Sequence, residues 1–600
     1  MTERTVRGVG SGLVRGTRFW SKNDHGVTPI QCSIHRKADR VVFMSVMCLV
    51  GTPGIAGEPL GSGGEPLRFV EEGMQRGVPF RIATNFHQVG AGNMLVDLDG
   101  DGDLDIVIAG GLGGMIGVYE NDGSGHFTDR SATSGITPMP NASGLSAADY
   151  DNDGDLDIHI PGWFVPSRLY RNNGDFTFTD VAIDAQIDVV APCLAAAWGD
   201  YNGDGWLDLY ASVRTFTDNV NIDNYLFRNN KDGTFTDVAT DLGVHAPGDP
   251  TCLPTFFDYD RDGDDDIYLG TDKGTTDGLM LHNKLYRNEG DGTFYNATYD
   301  AGVEAYIFCM GIAVGDINFD GYFDMYLSNI PQGNILYVNN TDGTFSDQTE
   351  PAGMQSNRIG WATVFADFDN DTHLDTYVCN TVSPNRLYRG SAVWPVVDVA
   401  PEAGVDLLNH SYCVSTGDID GDGDLDMLVD STDGRIRLYI NHSEDASENN
   451  FVRLDIEGTR LNHNCVGAVV ELDVESKTQT REVRSGTNYK SQDEFTMHFG
   501  LAKAETIKQV RLYMPGQPVR TLTNMPVNGR WTIYTPDRLG DVNNDGIISV
   551  EEVRAAVLAR TGPGGMIQPG QEIFDMDGDF DIDLTDIALM GAGVFSPSQR

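Results

Sequence analysis

Aspartates at alternate positions around a glycine, just before an apolar run, recur seven times in this chain. The seventh copy reads GDIDGDGDLDMLVD, residues 417–430. Carboxylates this close repel one another unless something positive sits between them. In Asp418-x-Asp420-x-Asp422-Gly423-x-x-Asp426, positions 1, 3, 5 and 9 of a tight loop point inward, and the glycine at position 6 makes the sharp turn. That is the oxygen cage of a hard divalent cation, most simply Ca2+, completed by the position 7 carbonyl and water.

The loops begin at Asp97, Asp149, Asp200, Asp258, Asp316, Asp367 and Asp418, in steps of 52, 51, 58, 58, 51 and 51 residues. A repeat of that period constrains the fold before any local reading does. Each loop leads into a short β-like run such as DIVIAG or DIYLGT. A second marker follows, as LYRN at 169, LFRN at 226, LYRN at 285, LYVN at 336, LYRG at 387 and LYIN at 438. Most repeats then close on an Asp-Gly turn and a TFxD strand. The order amounts to four antiparallel strands per repeat. Repeated radially, such sheets predict a mainly β fold, a seven-bladed propeller with calcium loops over residues 66–442. The seventh repeat lacks its last strand, while RFVEEGMQRGV (68–78) aligns without gaps on HFTDRSATSGI (126–136). The early segment is therefore expected to supply the outer strand of the last blade, closing the ring and removing its edges.

By position, the expected cation ligands are Asp97, Asp99, Asp101 and Asp105; Asp149, Asp151, Asp153 and Asp157; and Asp200, Asn202, Asp204 and Asp208. They continue as Asp258, Asp260, Asp262 and Asp266; Asp316, Asn318, Asp320 and Asp324; Asp367, Asp369, Asp371 and Asp375; and Asp418, Asp420, Asp422 and Asp426. Loop six carries Thr372 in place of the glycine, so that site is expected to be weak or empty. The seven loops hold 31 acidic residues, a cost that bound cations would invert. The cations are expected to act as structural staples, because a catalytic metal needs open positions and these side chains are all committed.

On these residues the repeats resemble the FG-GAP/VCBS family, the calcium-bearing blades of the integrin α-subunit propeller and its bacterial relatives. The resemblance implies an adhesion or protein-interaction module. After the acidic linker SEDASENN (443–450), residues 451–535 alternate apolar and polar side chains as a small β-sandwich does. GAVVEL, REVRSGTNYKSQ and HFGL in that stretch resemble the ASPIC/UnbV domain, although NCVGAVV lacks an arginine that the family usually carries. In 538–600, DVNNDGIISVEE places Asp541, Asn543, Asp545, Ser549 and Glu552 at EF-hand positions, and DMDGDFDIDLTD places Asp575, Asp577, Asp579, Asp583 and Asp586 there. Phe580 replaces the usual glycine of the second loop. The pair is similar to a type I dockerin, which implies a cohesin-like partner; a calcium-stabilised α-helical cap is the alternative.

Arg36, Lys37 and Arg40 precede the apolar run VVFMSVMCLV (41–50), too short to span a bilayer, and small residues follow near Ala56. Residues 1–57 thus read as a basic leader and signal peptide, 58–65 as a linker, and the protein as secreted or held at the cell surface. Export permits disulfides, but Cys193, Cys252, Cys309 and Cys413 each fall just before an acidic loop, where a small buried side chain is the plainer reading. A net charge of -48 argues against nucleic acid as a partner. No HExxH, GxSxG or Cys/His cluster marks an active site, and His87, His159, His245 and His410 stand alone. The expected partner is an extracellular protein or glycan. Insertions in blades three and four, around Phe216, Asn221, Lys273 and His282, mark the rim opposite the cation loops as the ligand face. A polysaccharide-binding protein, lyase or hydrolase on the same scaffold is the alternative, and a basic and aromatic cluster on that rim would distinguish it.

Overall fold

A computed structural model describes residues 66–536, apart from 84–91, 215–221, 273–280, 331–332, 409–410, 432 and 459–460, together with residues 555, 556 and 586. The expected leader, signal peptide and 58–65 linker lie outside the described residues. So does nearly all of the dockerin-like segment, including every expected ligand there except Asp586.

Seven antiparallel sheets follow the seven repeats. Their first strands are Asn93–Val96, Ser146–Ala148, Val190–Gly199, Thr251–Phe257, Cys309–Gly315, Ile359–Ala366 and Val414–Gly417. Each runs straight into an acidic loop, and all but Val190, Ile359 and Phe365 are buried. Small residues make that burial possible: the CLAAAWG run of the third sheet lets neighbouring first strands pack together around a central channel. Each second strand begins at the ninth loop residue, at Asp105, Asp157, Asp208, Asp266, Asp324, Asp375 or Asp426. The third strands end in the LYxN marker. The seventh sheet borrows its outer strand from the other end of the repeats, Phe69–Glu71 pairing antiparallel with Arg435–Asn441 so that Phe69 faces Asn441.

The asparagine of that marker joins each sheet to the one before it. Asn121 Nδ2 donates to Leu104 O at 3.0 Å in its own sheet and to Ile419 O at 2.9 Å in the seventh, which fastens the ring. Asn172 reaches Leu98 O, Asn229 reaches Tyr150 O, Asn288 reaches Tyr201 O, Asn339 reaches Tyr259 O and Asn441 reaches Phe368 O, all at 2.7–2.9 Å. The side-chain oxygen meanwhile accepts backbone N–H groups of the following turn, as Gly123 and Gly125 donate to Asn121. In the sixth sheet Gly390 occupies this position, and the seam to the fifth sheet has no such bond.

Trp163–Pro166, between the second and third strands of sheet two, forms an extra strand that pairs with the start of Val190–Gly199 and makes the third sheet five-stranded. Nothing in the repeat pattern foretells it. Beyond the ring, the expected linker contains a short helix, Glu444–Glu448. Two sheets follow. In one, Asn450–Glu457 lies antiparallel to Met497–Ala502 and parallel to Arg530–Tyr534; the other has the order Lys477–Glu482, Val469–Val474, Ile507–Tyr513, Arg520–Met525. All six described cysteines are buried, and Cys193, Cys252, Cys309, Cys379 and Cys413 form no disulfide. Among the described residues no helix is long and apolar enough to cross a membrane.

Removing the Asn121 side chain strands two buried carbonyls and the turn N–H groups, each worth about 1 kcal/mol or more. Asn121→Ala is expected to lower stability by about 3 kcal/mol in urea denaturation, against under about 1 kcal/mol for the exposed Asn173→Ala.

Candidate functional site: the acidic loops and the domain that covers them

Within each loop the carboxylates first serve the backbone. The position 1 aspartate accepts the N–H groups of positions 5 and 6, as Asp153 and Gly154 donate to Asp149 at 3.0 Å, except in loop one, where Gly100 and Gly102, positions 4 and 6, donate to Asp97. The position 5 carboxylate accepts the position 7 N–H, as in Asp103 to Asp101 at 2.9 Å. At position 9 both oxygens are engaged: Asp157 accepts Tyr150 N–H at 3.1 Å and Asn172 N–H at 2.8 Å. The sequence assigned this residue to the cation alone, whereas it also ties the loop to the third strand. Position 6 is held at φ between 81° and 100° in the six glycine loops (Gly102, Gly154, Gly205, Gly263, Gly321, Gly423), and Thr372 adopts the same region at φ 87°.

Position 3 is different. Oδ1 of Asp99, Asp151, Asn202, Asp260 and Asp420 is buried and accepts no hydrogen bond from the protein. A buried oxygen without a donor is costly, so these atoms fit a coordinated cation. In five loops, three acidic side chains bring ligand oxygens within 4.8 Å of one another: Asp97, Asp99 and Asp101; Asp149, Asp151 and Asp157; Asp258, Asp260 and Asp262; Asp367, Asp369 and Asp371; Asp418, Asp420 and Asp426. Loops three and five carry Asn202 and Asn318 instead, and Asn318 donates to Asp320 at 2.9 Å. Loop six departs further, because Arg389 pairs with Asp369 at 2.5 Å and puts a guanidinium beside the cage.

Burial, reinforced by neighbouring carboxylates, drives these groups toward protonation. Asp99 and Asp151 are pushed up to about 6, Asp149 to about 7 and Asp105 to about 8. Asp157, Asp208, Asp266, Asp324, Asp375 and Asp426 lie well above the usual carboxylate range for the same reason.

The domain after the ring lies across this whole acidic face. Arg530 donates to Gly102 O of loop one. Asn462 N–H donates to Asn152 of loop two at 2.7 Å, and Leu461 packs on Gly205 of loop three. Glu482 accepts Asp258 N–H of loop four at 3.0 Å, and the Lys477 ammonium stands 4.6 Å from the Phe319 ring of loop five. Lys477 also donates to Thr372 of loop six at 2.6 Å. Arg453 pairs with Asp418 of loop seven at 3.0 Å, and His498 donates to Gly423 O at 3.1 Å.

From the same domain a hairpin, Arg484–Glu494, descends into the central channel and bonds to first strands around it. Gln492 exchanges backbone bonds with Asn93 and Leu95 of sheet one at 3.1 and 3.2 Å. Leu145 N–H of sheet two donates to Lys490 O, and Trp198 N–H of sheet three to Ser485 O, at 3.1 and 3.3 Å. Arg484 donates to Val314 O of sheet five at 2.7 Å, and Asn488 to Val414 O of sheet seven at 3.2 Å. The Tyr489 ring lies 5.5 Å from Trp361 of sheet six. Gly486, Asn488 and Lys490 all have positive φ, which lets the hairpin turn within the bore. Burial pushes the Lys490 ammonium down to about 8. The sequence flagged REVRSGTNYKSQ as a family marker but not its insertion. Its run of small and polar residues between strands, too long for a tight turn, is the signal that was there to read.

Tyr489 is fully buried, yet its hydroxyl has no partner in the protein. Tyr489→Ala is expected to cost about 3–5 kcal/mol, and Tyr489→Phe to cost nothing or to stabilise, as read from thermal unfolding.

Residues 97–160, 165–211, 216–269, 258–327 and 320–378 match the FG-GAP-like repeat, and residues 458–539 match ASPIC and UnbV. Cartilage acidic protein 1 of Homo sapiens is 25% identical over 491 residues, covering 73% of this chain and 72% of that protein. The Mus musculus protein is 24% identical over 498 residues, covering 76% and 75%. Among solved structures, the BP39L lectin from Burkholderia pseudomallei aligns at TM-score 0.39 and 12% identity, over 59% of this chain and 96% of that one. BBS1N in complex with ARL6DN aligns at TM-score 0.37 and 10% identity, over 61% and 97%. The chain thus carries FG-GAP-like repeats followed by an ASPIC and UnbV domain.

Proposed function

We propose that this protein is an exported, seven-bladed β-propeller in which Ca2+ staples the acidic loops, and that it works as a protein-interaction or adhesion module. The observation that carries the interaction reading is the contrast between the two rims. The acidic rim is covered by the ASPIC and UnbV domain. Of fifteen large hydrophobic side chains exposed among the described residues, ten lie opposite the acidic loops, eight in the connections there and two, Phe164 and Val190, in the extra strand and at the start of the first strand it pairs with. They are Met74, Leu112, Met115, Phe164, Ile183, Val190, Tyr299, Tyr306, Val382 and Leu408. On a chain of net charge -48, apolar groups gathered on the other side of the ring suit a partner's contact surface. Of the residues first nominated for that face, His282 is described, while Phe216, Asn221 and Lys273 lie outside the described residues.

The calcium reading rests on the position 3 oxygens, which lack donors, and on the loop geometry. The carboxylates supply the ligands, and the cation when bound supplies the charge that lets them stay ionised in buried turns. Loops six and seven also carry guanidinium partners, Arg389 on Asp369 and Arg76 and Arg453 on Asp420 and Asp418, and loop six alone has Thr372 at the turn. A second reading, glycan binding, is favoured by one cluster: His282 lies 5.2 Å from Tyr299 and 5.4 Å from Tyr306, ring to ring, with the Tyr299 hydroxyl 3.0 Å from His282 Nε2. Exposed aromatic rings suit sugar faces, but no arginine or lysine is seen beside them among these contacts.

Two experiments test these readings. A carboxylate whose folded pKa is raised stabilises the fold at acid pH, and that contribution is lost as pH rises through the folded value. Chelator-treated protein should therefore lose melting temperature as pH rises from about 4, the unfolded carboxylate value, through the folded values of Asp99 at about 6 and Asp105 at about 8. With saturating Ca2+ the loss should vanish; equal melting curves with and without Ca2+ would remove the calcium reading. Incubation of the calcium-loaded protein with a panel of polysaccharides is expected to release no new chain ends, and their appearance would replace the interaction reading with an enzymatic one.

A further inference from the structure

The hairpin in the channel is bracketed by two glutamates with buried side chains that do the same thing. Before it, Glu482 Oε1 accepts the N–H of Asp258, the first residue of loop four, at 3.0 Å. After it, Glu494 Oε1 accepts the N–H of Asp418, the first residue of loop seven, at 3.2 Å. Asp258 and Asp418 are also the residues whose carboxylates gather the loop backbone, each accepting N–H groups from positions 5 and 6. Arg453 completes the second bracket, pairing with both Asp418 and Glu494 at 3.0 and 2.5 Å. The hairpin therefore hangs from two points whose position is set by the shape of cation loops, on opposite sides of the bore.

We infer that the Arg484–Glu494 hairpin is a plug whose seating in the channel follows the occupancy of loops four and seven, with Glu482 and Glu494 as the linking residues. The inference rests on the calcium reading above. A loop that loses its cation is left with crowded carboxylates, spreads, and moves the amide on which the glutamate hangs. A carboxylate that has lost its N–H donor inside the protein is strongly penalised, so the bracket and the hairpin leave together. What opens is the interior of the ring, lined by backbone groups of the first strands that now bond to the plug. Small local shifts become an all-or-none change because the hairpin fills a closely packed bore and has no intermediate seat.

Cysteines report on the bore without an added probe. All four thiols are buried; those of Cys413 and Cys252 lie close enough to Lys490 of the plug to feel its charge, and Cys309 and Cys379, in sheets five and six, are not among the groups that act most strongly on it. The full-length protein is labelled with N-ethylmaleimide in saturating Ca2+ and in chelator, and each site is followed by mass spectrometry alongside calorimetric titration with Ca2+. Cys252 and Cys413 are expected to label at least about tenfold faster in chelator, while Cys309 and Cys379 stay protected. Glu482→Ala combined with Glu494→Ala should label Cys252 and Cys413 quickly even in Ca2+, with an unchanged number of bound ions. Calcium binding by calorimetry with no change in labelling would overturn the inference alone. So would all four thiols accelerating together, which is unfolding of the ring. Absence of calcium binding would instead overturn the calcium reading, and this inference with it.

Discussion

A carboxylate shut away from water at the start of each second strand organises everything around it. Asp105 is 1% exposed, and its two oxygens accept Leu98 N–H from the acidic loop and Asn121 N–H from the third strand, both at 2.9 Å. One side chain thus sets the loop, the second strand and the third strand in a single geometry. The residue that donates, Asn121, then reaches with its own side chain into the neighbouring sheet. Local satisfaction of a buried acid and assembly of the whole ring are successive links of one hydrogen-bond chain. In sheet six the first link survives, since Gly390 N–H donates to Asp375 at 2.7 Å, but the second is gone with the side chain.

This chemistry explains how much of the fold was legible. The alternating aspartates and the 51- to 58-residue period announced four-stranded repeats, and the unpaired RFVEEG segment announced the borrowed strand, because both are written locally or by alignment within the chain. The asparagine of LYxN was visible as a marker but not as a clasp, since its partner lies about one repeat earlier and no spacing rule names a backbone carbonyl. The same limit hid the double duty of the position 9 aspartates. Trp163–Pro166 was missed because it pairs with another repeat and lacks a repeat of its own. Thr372 stood out in the sequence as a departure from glycine, but the guanidinium of Arg389, which pairs with Asp369 from outside the loop, did not.

The second domain was legible as strands and illegible as a lid. Nothing in alternating hydrophobicity says that Arg453, Lys477 and Arg530 face carboxylate loops tens to hundreds of residues away. Yet the charge balance hints at it: on a chain with 41 basic and 89 acidic residues, arginines gathered in one small domain have acids to meet. Arg453 shows the consequence at its most buried, held between Asp418 and Glu494 with its own pKa raised, so that removing either acid would strand a charge in the interior.

The borrowed strand also sets an order of events during synthesis. Phe69–Glu71 is made before any complete sheet exists, but its partner Arg435–Asn441 emerges only after the other six repeats. Until then the nascent chain carries an open strand edge, with Phe69 and Val70 unsheltered, at a stage when pairing with another chain competes with waiting. The ring therefore reaches its final state late and in one step, by a contact between residues about 370 apart in sequence.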